Sequence, residues 1–158
     1  MLSMIVAMTE DRVIGKNNEL PWPMIKEDMQ HFKKITTGHA VIMGRKTWDS
    51  IPDKFKPLPK RTNVVVTRQD LKLGGAIVCN SLAEAIDCAK DVDDNPFIIG
   101  GASLYEESLP LVNQIYLTLI KNTYEGDTYF PALSKQDWKQ SLLSETEKAA
   151  FYLYQRSI

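Results

Sequence analysis

Val41-Ile42-Met43-Gly44-Arg45-Lys46-Thr47 and Phe97-Ile98-Ile99-Gly100-Gly101-Ala102-Ser103 share one plan: a short apolar run, then glycine, then a helix-compatible stretch. Apolar runs without polar alternation suit strands covered on both faces, and glycine directly after them suits a tight turn into a helix. Similar β-branched runs stand at residues 2–7, 40–43, 63–67, 76–78, 97–99 and 114–120. Helical patterns are expected near Lys26, near Lys46, after Ser81 and after Ala102. Ser81 with Glu84 and Ser103 with Glu106 have capping-box spacing. Residues 138–143 and 151–155 are strand-like with no strong helix between them. The expected fold is therefore α/β: a mixed, mostly parallel central sheet with flanking helices and an antiparallel C-terminal edge.

The chain has 158 residues, 19 basic and 20 acidic, for a net charge of -1. That length fits one domain over residues 1–158, with no repeat or linker to divide it. Near-neutral charge gives no general field for nucleic acid or an anionic membrane, so an anionic ligand would have to be small and held by a few placed cations. Cys79 and Cys88 lack the spacing of a CxxC pair and have no histidine cluster beside them. They read as reduced cysteines of a cytoplasmic protein, with no metal site. The apolar residues 1–8 lack a basic leader and are too short to span a membrane, so they read as a first strand.

One carboxylate stands out. At 3.6 residues per turn, Asp28 falls in a stripe with Ile25, Met29, Phe32 and Ile35, while Lys26, Glu27, Gln30, Lys33 and Lys34 take the other side. Burying an unpaired carboxylate costs several kcal/mol or raises its pKa, so such a group is kept where something polar binds it. The ordinary alternative is an edge position meeting water. The two glycine junctions let backbone N–H groups approach an anion, and a pair of them suits a diphosphate, although neither is a GxGxxG fingerprint. Arg45 and Lys46 beside the first junction, with Thr67 and Arg68 after a further strand, favour an additional phosphate, as in NADPH rather than NADH. Arginines and lysines of this kind are otherwise solvated surface charges. Pro57-Leu58-Pro59-Lys60-Arg61 would present Arg61 in a fixed direction for a carboxylate. Residues 15–23 have the composition of a mobile lid.

Taken in order, Ile14-Gly15, Leu20-Pro21-Trp22, Asp28 with Phe32, Met43-Gly44-Arg45-Lys46-Thr47-Trp48, Pro57-Leu58-Pro59-Lys60-Arg61, Ile99-Gly100-Gly101, Tyr105, Thr118 and Glu125-Gly126-Asp127-Thr128 resemble the dihydrofolate reductase family. The resemblance is collinear from about Met4 to Pro131. It implies hydride transfer from C4 of NADPH to C6 of 7,8-dihydrofolate, with protonation at N5. It further implies that Asp28 orients the pterin, that Thr118 fixes Asp28, that Trp22 positions a water and that Leu20 lies on the lid. Ile5, Ala7, Met29, Phe32, Ile51, Leu58 and Ile99 would line the substrate, and Arg61 would bind its glutamate carboxylate. The cofactor would run along Ala7, Ile14, Gly15, Leu20, Gly44, Arg45, Lys46, Thr47, Thr67, Arg68 and Ile99, continuing over Gly100, Gly101, Ala102, Ser103, Leu104 and Tyr105. The resemblance also implies a cis peptide at Gly100-Gly101, a loop at 125–127 that holds the lid closed, and an antifolate target whose sensitivity is not readable with Met29 and Phe55 near the pocket; nothing in the sequence requires more than a monomer.

Three features depart from that pattern. The approach to the helix is one residue longer than in many bacterial members and sets Glu27 beside Asp28; periodicity selects Asp28. Residues 53–56 lengthen the segment before Pro57. Ser103 stands where some members place an arginine, so cofactor contacts lean on Arg45, Lys46 and Arg68. A riboflavin-pathway reductase of the same fold, or a non-catalytic NADPH- or folate-binding module, are the other readings; Asp28 in its Pro-Trp context speaks against the first, and intact Trp22, Asp28 and Thr118 against the second.

Overall fold

In a computed structural model, which describes residues 1–157, ten strands and four helices form an α/β fold. Ile158, the last residue of the expected domain, lies outside the described residues. The central sheet is built from β1 (Ser3–Thr9), β3 (Ala40–Gly44), β4 (Thr62–Val66), β5 (Ala76–Cys79), β6 (Phe97–Gly100), β7 (Gln114–Ile120), β9 (Trp138–Glu145) and β10 (Ala149–Arg156). Their order is β5-β4-β3-β6-β1-β7-β10-β9. The first six neighbours are parallel, and β10 runs antiparallel to both β7 and β9, giving the expected C-terminal edge.

The non-alternating runs are explained by cover on both faces. Met4, Val6, Ile42, Val64 and Ile98 pack with Leu82, Ala85 and Ala89 of α3 (Leu82–Lys90) and with Leu104 of α4 (Ala102–Ser108). Their sequence neighbours Ile5, Val41, Met43, Val65 and Phe97 pack on the opposite face with Trp48 of α2 (Arg45–Ser50) and Phe32 and Ile35 of α1 (Lys26–Thr36). Val41, Ile42 and Met43 are all fully buried. Truncating any of them to alanine should cost about 2–5 kcal/mol for Ile42 or Met43, and less for Val41.

Two expectations need correction. The stripe of α1 is not a core stripe: only Ile25 is buried, Met29 is 51% exposed, and Asp28, Phe32 and Ile35 are half-buried, Phe32 and Ile35 packing on the edge of an apolar cluster. The capping box proposed for Ser103 does not form: α4 starts at Ala102 with Gly101 as its N-cap, which places Ser103 inside the helix. The Ser81 cap does form, with Glu84 N–H donating to Ser81 Oγ at 3.1 Å and Asn80 N–H donating to Glu84 Oε2 at 3.2 Å. The lid region contains two strands the sequence did not announce, β2 (Val13–Gly15) and β8 (Thr128–Tyr129), paired in a separate antiparallel sheet.

Candidate functional site

Arg61 immediately precedes β4 and stands at its amino end, whereas Ala7, Gly44, Gly100 and Thr118 lie toward the carboxyl ends of β1, β3, β6 and β7. In an open parallel sheet this is where loops and helix starts gather and where ligands bind. Ile5, Phe32, Ile51, Leu58 and Ile99 belong to one apolar cluster. Trp22 and Ile25 form another with Phe151, and Ala7 packs against it. Leu20 (59% exposed) and Met29 stand at the rim, outside both clusters. Trp22 is buried and meets the edge of Tyr124 at 6.3 Å between ring centroids.

Asp28 sits in the first turn of α1 and accepts a hydrogen bond from the hydroxyl of Thr118. Thr118 is held by register between Ala7 on β1 and Phe151 on β10 and is 1% exposed, so its hydroxyl direction is fixed by the sheet. Burial raises the pKa of Asp28 above the usual aspartate value, and the Thr118 hydrogen bond opposes that only in part. Desolvation is thus the dominant influence on this acid. Tyr105, also fully enclosed, places its hydroxyl 2.9 Å from Ile5 O and 3.0 Å from Ile99 O. Its pKa is raised by burial and then by the negative charge of nearby Asp28.

The two glycine junctions face each other. A Cβ on Gly44 would lie 3.9 Å from Gly101 N, and one on Gly101 would lie 3.5 Å from Thr47 Oγ1. Gly100 adopts φ +124°, which strains any side chain, and a Cβ there would come within 3.2 Å of the Tyr105 hydroxyl, a tight contact. The Gly100-Gly101 peptide is cis, as the resemblance implied. Neither Gly44 nor Gly101 is followed by a side-chain cap, which leaves the first N–H groups of α2 and α4 without a side-chain acceptor. Around them stand Arg45 and Thr47, half-buried, and Lys46, Arg68 and Ser103, exposed; Thr67 is half-buried at the end of β4, with its N–H donating to Cys79 O at 2.9 Å. Backbone N–H groups, a hydroxyl and guanidinium groups form the donor set that a phosphorylated dinucleotide requires.

Arg61 does not project freely. Its Nε donates to Pro59 O at 2.9 Å and its Nη1 to Thr36 Oγ1 at 3.1 Å, with the guanidinium 5.8 Å above the Phe32 ring. Two anchors leave the remaining N–H donors in a set plane. The added residues 53–56 form a single 3-10 turn in which Lys56 lies 5.3 Å over the Trp48 ring and 3.7 Å from Asp53, so the insertion packs on α2.

The lid begins at β2. Ile14 packs on the core, and beyond Gly15 a tight turn through Asn17 and Asn18, both at positive φ, is closed by the Lys16–Glu19 bridge. The 125–128 loop grips this turn: Asp127 N–H donates to Gly15 O at 3.0 Å, Asn17 N–H donates to Asp127 Oδ2 at 3.0 Å, and Lys16 lies 3.5 Å from Glu125. A Cβ on Gly126 would stand 2.1 Å from Val13 Cγ1, so glycine permits the close approach. The hydrogen bond from Asn17, then that from Thr128, lowers the pKa of Asp127.

Three residues bordering this region escaped sequence reading. His31, three residues after Asp28, packs 4.5 Å from the Phe151 ring with its Nε2 sealed from solvent. Asp49 and Gln69 bind Arg45. Their residue types and spacing carry no signal beyond that of polar surface positions.

These features define an α/β protein with a ligand-binding face at the carboxyl ends of its parallel strands, one desolvated acid at one end and phosphate-type donors at the other. The family model for dihydrofolate reductase matches residues 1–156. A dihydrofolate reductase of Bacillus subtilis (strain 168) is 44% identical over 140 residues, covering 88% of this chain and 80% of the relative. A type 8 dihydrofolate reductase of Escherichia coli is 40% identical over 164 residues, covering 98% and 95%, and a dihydrofolate reductase of Haemophilus influenzae is 43% identical over 137 residues, covering 87% and 82%. The chain belongs to the dihydrofolate reductase family.

Proposed function

We propose that this chain reduces 7,8-dihydrofolate to 5,6,7,8-tetrahydrofolate, with NADPH as cofactor, as a single cytoplasmic domain over residues 1–158 that acts as a monomer. No helix is long and apolar enough to cross a membrane. The observation that carries the reading is Asp28: a half-buried acid, desolvated, hydrogen-bonded by Thr118, on the same helix as Phe32 of the apolar cluster that includes Ile5, Ile51, Leu58 and Ile99.

NADPH, when bound, would supply the hydride that reduces C6 of the pterin. The residues do the rest. Asp28 accepts hydrogen bonds from the 2-amino group and N3 side of the pterin, and its charge, acting where water is excluded, raises the proton affinity of N5. Thr118 keeps the carboxylate in the rotamer that makes both contacts. Trp22, buried behind the lid, positions the water that delivers the proton to N5, so Asp28 need not touch that atom. Ile5, Ala7, Met29, Phe32, Ile51, Leu58 and Ile99 bind the rings by their apolar surface, and Arg61 takes the glutamate α-carboxylate. Leu20 closes over the reacting rings with the lid. Ile14, Gly15, Gly44 to Thr47, Thr67, Arg68 and Gly100 to Tyr105 hold the cofactor. Protonated diaminopyrimidine antifolates would pair with Asp28 in place of the pterin and inhibit.

Oxidation of NADPH by the purified protein, measured with and without 7,8-dihydrofolate, tests the reading. Dihydrofolate-dependent oxidation is expected, reduced about 10²- to 10⁴-fold in Asp28→Asn. Cofactor binding without turnover would overturn the enzymatic reading, and equal rates for both proteins would displace Asp28 from its role.

A further inference from the structure

Arg45, the first residue of α2, is held from two directions. Its Nε donates to Asp49 Oδ1 at 3.0 Å and Oδ2 at 3.2 Å, one helical turn along, and its Nη1 donates to Gln69 Oε1 at 3.2 Å, in the segment after β4. Gln69 is itself fixed: its N–H donates to Thr67 Oγ1 at 3.2 Å, and Asn80 Nδ2 donates to Thr67 O at 3.0 Å. A chain of hydrogen bonds therefore runs from α2 across to the β4 and β5 ends and crosses the group of residues that face the extra phosphate. Among the described residues neither Lys46 nor Arg68 forms a salt bridge, so Arg45 is the anchored cation of the group.

Two of the five guanidinium N–H groups are engaged, which leaves three, including both on Nη2, in a plane set by the two tethers. A phosphate is recognised by such paired donors, and an untethered arginine loses rotamer freedom when it makes them. An exposed i,i+4 pair with Asp49 alone is weak and leaves the guanidinium free to turn about Nε. Gln69 adds the second point, from a different element and without a charge that would repel the phosphate. Asp49 does carry such a charge, softened by its 54% exposure.

We infer that Gln69, with Asp49, is a positioning residue for Arg45, and that this tether sets the preference of the cofactor end for a phosphorylated ribose, NADPH over NADH. The inference rests on the reading of this face as the NADPH site. Gln69 is exposed, so its replacement leaves folding intact.

Calorimetric titration of the substrate-free protein with NADPH and with NADH tests it, followed by kcat and KM for each. Gln69→Met should weaken NADPH binding about 3- to 10-fold, the scale of one ordinary hydrogen bond in an exposed setting, while NADH binding stays within about 2-fold. The kcat at saturating NADPH stays as in the wild type. In an Arg45→Ala background Gln69→Met should make no further difference. Equal weakening for both cofactors, no change for either, or an undiminished effect without Arg45 would each overturn the inference. A wild-type protein that prefers neither cofactor would remove the underlying site reading instead, and the wild-type titrations alone report that.

Discussion

The two ends of the binding face hold charge in opposite ways. Asp28 is half-buried against apolar side chains, and burial outweighs its hydrogen bond from Thr118, so the folded protein carries it at an energetic cost. Arg45 is half-buried, its side chain 35% exposed, and is aimed by Asp49 and Gln69. The difference decides how much each residue is worth. A desolvated group acts at short range with little screening and no substitute; among partly and fully exposed cations several share the task and salt weakens them all. Substitutions at the Asp28 end should therefore change rates by orders of magnitude, and those at the Arg45 end should change affinity a few-fold to tenfold.

Asp28→Asn breaks the comparison hardest, because activity and stability should move in opposite directions. Alongside the loss of turnover, the variant should be more stable than the wild type at neutral pH. The raised pKa means that, between the unfolded value near 3.8 and the folded value, the folded state binds more protons than the unfolded state. The stability contributed by this group thus falls as pH rises through that window, and the full cost is present above it. Asparagine has no such cost, so its advantage in thermal unfolding should be seen at neutral pH and vanish below pH about 3.8. An asparagine variant less stable than wild type at neutral pH would mean that the carboxylate is satisfied by partners other than Thr118.

Thr118→Val removes the one hydroxyl that opposes desolvation while keeping a β-branched shape suited to the strand. Turnover should fall about 10- to 100-fold, the range for losing a hydrogen bond to a charged group. The pKa of Asp28 should move further up, so the limb of the kcat profile that reports this acid shifts to higher pH. Arg45→Ala, at the other end, should weaken NADPH binding by about tenfold with kcat at saturation retained, and the deficit should shrink as salt is added. A kcat loss as large as that of Thr118→Val would erase the distinction between the two ends.

How far the sequence revealed this arrangement follows the same divide. The sandwiched runs at 41–43 and 97–99 were legible because cover on both faces leaves an uninterrupted apolar signature. Asp28 was legible because an acid in an apolar stripe is conspicuous, although the stripe packs on the edge of an apolar cluster and leaves Met29 exposed. Strands β2 and β8 were not, since they have only 3 and 2 residues and exist through pairing across more than 110 positions, Val13 with Tyr129 and Gly15 with Thr128. The tethers of Arg45 were equally silent: Gln69 on an exposed segment has no periodicity, and its partner is 24 residues away. Ser103 with Glu106 had the right spacing but the wrong frame, because α4 begins one residue before the serine. Local patterns report burial well and report long-range polar pairing poorly.

The 15–20 turn provides the most delicate comparison, since it is held by hydrogen bonds in water and, in the proposed function, closes over the Asp28 end. Asp127 takes its bond from the Asn17 N–H in full solvent, and the low pKa of the carboxyl reflects that bond and the one from Thr128. Asp127→Ala should leave dihydrofolate affinity near the wild-type value and slow hydride transfer about 2- to 10-fold in single-turnover experiments, because the lid closes for a smaller fraction of the time and closure, not ring binding, depends on this contact. The Gly15 carbonyl still accepts the backbone N–H of residue 127 in the variant, so the loss is partial. An unchanged hydride step would mean that β2 pairing with β8 alone holds the lid. A rate loss as large as that of Asp28→Asn would mean that Asp127 acts on the Asp28 end itself and not through the lid.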